Sequence, residues 1–271
     1  MRLKIAWLRP CRFDSGQRYM KFWKEILIKN IQASIFGLFL LFVIIISKQI
    51  HFNSISRYDF IFLSAVIFQL FLLLTKKETK KEFFVIIIFH ILATLMELFK
   101  TSKNIGSWNY PEIKNSYFVF LTVPLFAGFF YSAVGSYISR LFKIFKLSFS
   151  NFPKYFHLWI LSILIYLNFF THHYVFDLRY TLFLYSIILF WKTKIIFEIQ
   201  GKKYSTNFLI PFFSLSIFIW IAENISTFNK IWLYPNQVQK WEWVSFHKIG
   251  SWYLLLILSF TLISLIYKKR K

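Results

Sequence analysis

Two glutamates stand at the ends of apolar segments, each followed by a tryptophan and a Tyr-Pro dipeptide. The first lies in MELFKTSKNIGSWNYPE, from Met96 to Glu112, and the second in IAENISTFNKIWLYPNQ, from Ile221 to Gln237. A carboxylate beside hydrocarbon is costly unless it has a partner or a task, so Glu97 and Glu223 are the first candidates for acid and base. If they meet, the close pair shares a proton and one carboxyl is held neutral. His90 lies seven residues before Glu97, two turns away on nearly the same helix face, and Lys100 follows three residues after it. The plainer account keeps each glutamate at an interface, satisfied by Lys100, an indole or the backbone.

The phrase THHYVFDLRY, from Thr171 to Tyr180, is the densest polar cluster. His173 is a candidate proton relay with His90. His172, His173 and Asp177 are also candidate ligands for zinc or iron, with Glu97, Glu223 and His247 to complete the set. The spacing is no metal signature, so the leading expectation is no cofactor, and an Asp177–Arg179 pair that fixes the loop is the plainer reading. Trp108, Tyr110, Trp232 and Tyr234, with Asn224, are candidates to wall a pocket for an apolar substrate. The same aromatics suit an interfacial belt, where proline ends a helix.

These residues need elements to hold them, and the composition says which. Of 271 residues, 57% are hydrophobic and 23% aromatic, which is not the make-up of a water-soluble domain. Apolar runs at about 32–46, 60–74, 83–99, 117–139, 157–170, 180–197, 207–224 and 252–267 read as about eight transmembrane helices in an all-α, polytopic bundle forming one domain over 1–271. The 33 Lys and Arg against 11 Asp and Glu could suggest nucleic acid, but 24 of the 33 fall in the two ends and alternate loops. That alternation places both termini in the cytoplasm and makes membrane lipids, not nucleic acid, the expected partners. The chain reads as a multi-pass protein of a bacterial inner membrane, and homo-oligomerisation stays open. The first apolar run reads as a retained helix, not a cleaved signal, and one cysteine, Cys11, excludes an internal disulfide.

The offset between the two glutamates is 126 residues and between the Tyr-Pro pairs 124. This near-constancy points to a parallel four-helix duplication, with repeats at 30–146 and 154–271. Every elaborate motif then falls on the outer side.

The motifs E-x-x-K-T-x-x-x-x-G-S-W-x-Y-P-E at Glu97 to Glu112, VPLFAGFFYSAVGSY, THHYVFDLR, IWIAENISTFNKIWLYPNQVQKWEWV and KIGSWYLLLILSF occur in that order. With them the chain, from about Phe89 onward, resembles the YoaT-like family of bacterial integral membrane proteins. The resemblance implies a multi-helix membrane protein and no established activity. No nucleotide, metalloprotease or serine hydrolase motif occurs. The leading expectation is therefore binding or modification of a lipid or isoprenoid in an outward-facing aromatic and carboxylate pocket. A proton-coupled small-molecule transporter and a structural or assembly protein are the alternatives, and whether the protein is an enzyme stays open.

Overall fold

The computed structural model describes residues 14–50 and 54–267. Cys11 and both chain ends lie outside these residues, and with them the cytoplasmic placement read from charge. Helix α1 (Asp14–Ala33) is followed by α2 (Ile35–Ser47), bent by 70° at the break between them. Tyr19, Met20, Trp23 and Leu27 on α1 remain exposed beside Lys21 and Lys24, the pattern of a helix lying along a membrane surface.

Local signals set the next two helices. Ser56 accepts from the Asp59 amide at 3.0 Å and starts α3 (Arg57–Leu74). Thr79 and Glu82 form a reciprocal cap that starts α4 (Lys80–Thr101). At the far end of α4 the chain turns through Gly106, whose φ of +56° suits glycine, and the Ser107 amide reaches back to the Lys100 carbonyl at 2.8 Å. A short hairpin, β1 (Val119–Phe120) with β2 (Val123–Pro124), leads into α5 (Ala127–Ile144). Then come β3 (Ser148–Ser150), α6 (Tyr155–Thr171), α7 (Arg179–Phe190), β4 (Lys194–Ile199), β5 (Lys202–Asn207), α8 (Leu209–Phe228) and α9 (His247–Tyr267). Strands β3, β4 and β5 form an antiparallel sheet in which Ser148 faces Ile196 and Ile196 faces Ser205.

Among the described residues, four helices are long and apolar enough to cross a membrane: Arg57–Leu74, Glu82–Thr101, Leu209–Phe228 and His247–Ser264. The bent α1–α2 pair makes five at most. This corrects the expectation of about eight, and the physical reasons are local. The run at 117–139 spends its first residues in the β1–β2 hairpin, and the helix that follows carries Arg140 and Lys143 in its last turns. The run at 180–197 stops at Phe190 and becomes strand β4, leaving a helix of 12 residues. Helix α6 has 17 residues, about 26 Å at 1.5 Å per residue, short of a hydrocarbon core of about 30 Å. The protein remains an all-α, multi-pass membrane protein, consistent with a bacterial inner membrane.

The four-helix duplication also fails. A tight turn at Thr75–Thr79 joins α3 to α4, whereas a two-stranded hairpin joins α7 to α8, and α7 is 12 residues against 18 in α3. The likeness is confined to α4 and α8, of 22 and 20 residues, and the Tyr-Pro loops after them.

Helix α9 occupies the middle: its apolar window is 56% buried, against 33–35% for the other three. Phe208, Phe212 and Phe260 anchor its lower part, with Phe208 stacked at 4.0 Å on Phe190 and 4.1 Å from Phe212. At the other end Tyr58, Tyr110, Val123, Phe126 and Ile231 form a second core. That core is the floor on which the motif loops rest.

Candidate functional site

The two Tyr-Pro loops are clipped together. Asn109 and Leu233 exchange backbone hydrogen bonds of 2.9 Å in each direction, so Trp108 and Tyr110 stand beside Trp232 and Tyr234. Tyr58 of α3 fixes the pair from below by donating to the Ile231 carbonyl at 2.7 Å.

These loops close one end of a cavity of about 220 Å³ between α4, α5, α6, α8 and α9. Glu97 enters it from α4, 4% exposed, and accepts three hydrogen bonds of 2.7 Å, from Trp108 Nε1, Tyr110 Oη and Tyr131 Oη. Glu223 enters from α8, also 4% exposed, and accepts from Tyr234 Oη at 2.6 Å and Trp252 Nε1 at 2.8 Å. The two shells touch, because the Trp108 and Tyr234 rings meet edge to face at 6.0 Å. Lys248, at the start of α9, places Nζ 4.5 Å from the Tyr234 ring centre and 5.3 Å from that of Trp108. Burial, reinforced by the adjoining glutamate, pushes the hydroxyls of Tyr110 and Tyr234 well above the usual phenol range. Both stay donors at any physiological pH.

A second cluster forms the rim. Lys100 Nζ lies 3.2 Å from His172 Nε2 and 2.6 Å from His173 Nε2, with the Phe169 ring centre at 4.5 Å. His172 Nδ1 is 2.7 Å from the Asn168 carbonyl, which can only accept. The proton is therefore on Nδ1, and Nε2 is left to accept from Lys100. Burial and then the neighbouring Lys100 ammonium push His173 down to about 4, so it too is neutral near pH 7. Asp177 accepts from Asn168 at 3.1 Å and pairs with Arg179 at 3.3 Å.

The expected site residues thus separate. Glu97, Glu223, Trp108, Tyr110, Trp232, Tyr234, His172 and His173 all line this cavity. His90 is not among its walls. Its ring packs on Phe129 at 4.7 Å and against Gly128, and its Nδ1 has no hydrogen-bond partner among the described residues. Asn224 spends its side chain on structure, donating to the Trp220 carbonyl and accepting from the Val244 amide. His172 and His173 converge on a lysine, and Asp177 turns to Asn168 and Arg179. Among the described residues no three His, Cys, Asp or Glu side chains are placed to hold one metal ion.

Sequence reasoning missed Tyr131, Lys248 and Trp252. Tyr131 is embedded in an apolar run with nothing polar at helical spacing. Trp252 lies in a second Gly-Ser-Trp, Gly250 to Trp252, whose place relative to Tyr-Pro differs from that of Gly106 to Trp108 and so pointed to no role, and Lys248 lies outside it.

A family model described as "Protein of unknown function (DUF817)" matches residues 22–260. The chain is 39% identical over 219 residues, 81% of each chain, to the uncharacterised protein YoaT of Bacillus subtilis (strain 168). No solved structure matches the chain.

Proposed function

We propose, for a chain that belongs to the DUF817 family of proteins of unknown function, that it binds the polar head of a membrane amphiphile, a lipid or isoprenoid, in the cavity around Glu97 and Glu223. The observation that carries this reading is the convergence of these two carboxylates, from membrane-length helices far apart in sequence, on one aromatic-walled cavity. A cavity of about 220 Å³ has room for the polar head of an amphiphile. Ile165, Leu254, Leu255 and Leu258 of α6 and α9 continue the wall away from the charges and suit the start of an apolar tail.

Binding fits better than acid–base chemistry. Every carboxylate oxygen of Glu97 and Glu223 already accepts at least one short hydrogen bond from tyrosine or tryptophan. Such shells fix a carboxylate in place and leave it little freedom to exchange protons with a substrate. The test is mass spectrometry of lipids that survive purification in a maltoside detergent. A defined amphiphile should accompany the wild type and be lost from the Glu97→Gln, Glu223→Gln double variant, because the tyrosine and tryptophan walls that the two carboxylates hold are released. A folded wild-type protein that carries no amphiphile, and takes up none when lipid extract is added, refutes the reading.

A further inference from the structure

The cavity holds charges of both signs without pairing them. Lys100 is 4% exposed and lines the cavity with Arg179 and Lys248. Among the described residues neither lysine has a carboxylate within 4.0 Å; Lys100 rests on two imidazole nitrogens and Lys248 on two aromatic rings. Arg179 has one ion pair, to Asp177, and its fork has further N–H groups. The two glutamates that face the same space are each enclosed by neutral donors.

An ammonium withdrawn from water without a counter-ion is expensive. The imidazoles that hold Lys100 are neutral acceptors, one of them locked by the Asn168 carbonyl, so they aim the ammonium and do not neutralise it. A bound anion would relieve that cost, and three separate cationic donors on α4, α7 and α9 match a group with several oxygens better than a planar carboxylate.

We infer that the Lys100, Arg179 and Lys248 side of the cavity is a subsite for a phosphate group, supplied by the head of the bound amphiphile or by free phosphate. The inference rests on the amphiphile reading and names its head-group chemistry. Glu97 and Glu223 face the same space and set its limit, since a second anionic group beyond the phosphate would meet them.

The experiment is native mass spectrometry from maltoside micelles with three added probes. These are phosphatidic acid, the diacylglycerol with the same chains, and inorganic phosphate. Wild type should retain phosphatidic acid and not diacylglycerol, and Lys100→Met should weaken that retention by about tenfold or more. Lys100→Arg should keep it. Arg179→Gln, at the half-exposed rim, serves the same purpose should Lys100→Met fail to fold. If inorganic phosphate binds and displaces phosphatidic acid, the site takes free phosphate, and the phosphate chemistry stands. Equal retention of both lipids, unchanged in Lys100→Met and in Arg179→Gln, overturns the phosphate subsite while leaving amphiphile binding intact. Retention of no probe by folded wild type overturns both.

Discussion

Replacing Gly128 by alanine tests how the site is spaced. A Cβ at this position would lie 2.5 Å from His90 Nδ1 and 2.7 Å from Cε1 and Cγ, where carbon contacts prefer about 3.5–4.0 Å. The overlap of about 1 Å forces either the imidazole to turn or α4 and α5 to part, at about 1–3 kcal/mol for an over-packed core. Against this, alanine gains about 0.5–1 kcal/mol over glycine in a helix. The net expectation for Gly128→Ala is therefore a loss of about 1–2 kcal/mol, or roughly 2–8 °C in midpoint by the scaling of larger soluble domains. With His90→Ala as background the clash is gone, and the same substitution should become neutral or stabilising. The assay is thermal unfolding in detergent, run as a double-mutant cycle. Tyr131, one turn beyond Gly128, donates to Glu97 seven residues beyond His90, so parting the helices should also weaken amphiphile retention. If Gly128→Ala has the same effect with and without His90, the close approach of α4 and α5 is wrong.

Other perturbations follow from the same contacts. Asp59, 1% exposed, accepts from Ser116 Oγ and the Tyr117 and Phe118 amides, and Asp59→Ala should cost about 3 kcal/mol or more by orphaning them, read in unfolding. Trp252→Phe, which removes one of two donors to Glu223, should cost about 1–3 kcal/mol, whereas Trp243→Phe at a 66% exposed position should stay within about 0.5 kcal/mol. Desolvation and the Lys100 ammonium push His173 down to about 4 in the folded protein, against about 6.5 unfolded, so the unfolded chain binds more protons between these values and stability should fall as pH drops through that window. His173→Gln should flatten this part of the pH–stability profile; an unchanged slope would place the proton elsewhere.

Much of the site was legible because its residues come in short motifs. Glu97, Trp108 and Tyr110 lie within 14 residues, and a helix end followed by a glycine turn can only fold them back on one another. The likeness of the two Tyr-Pro loops was legible, whereas their pairing through Asn109 and Leu233 was not, and the four-helix repeat that the likeness suggested is absent. Lys248 and Trp252 were not, since a lysine at a helix start looks like any boundary charge until α9 proves to be the central helix. His90 shows the limit of periodicity: seven residues do place it on the face of Glu97, but the missing Cβ at Gly128 draws it into the α4–α5 contact and out of the cavity. The helix count failed for a related reason. An apolar run does not by itself specify a helix: residues 119–124 and 194–199 are hairpin and strand, with Tyr117 and Leu121 left exposed, and no hydropathy window distinguishes such segments from helix.

The most direct measurement is an experimental structure of the wild-type protein in nanodiscs made from its own membrane lipids. A polar head should occupy the cavity, within hydrogen-bonding distance of Lys100 or Lys248, with a tail leaving along Leu254 and Leu258. A well-ordered cavity containing only water, with Glu97 and Glu223 still held by their aromatic donors, would contradict amphiphile binding and leave the cluster as a lock between helices.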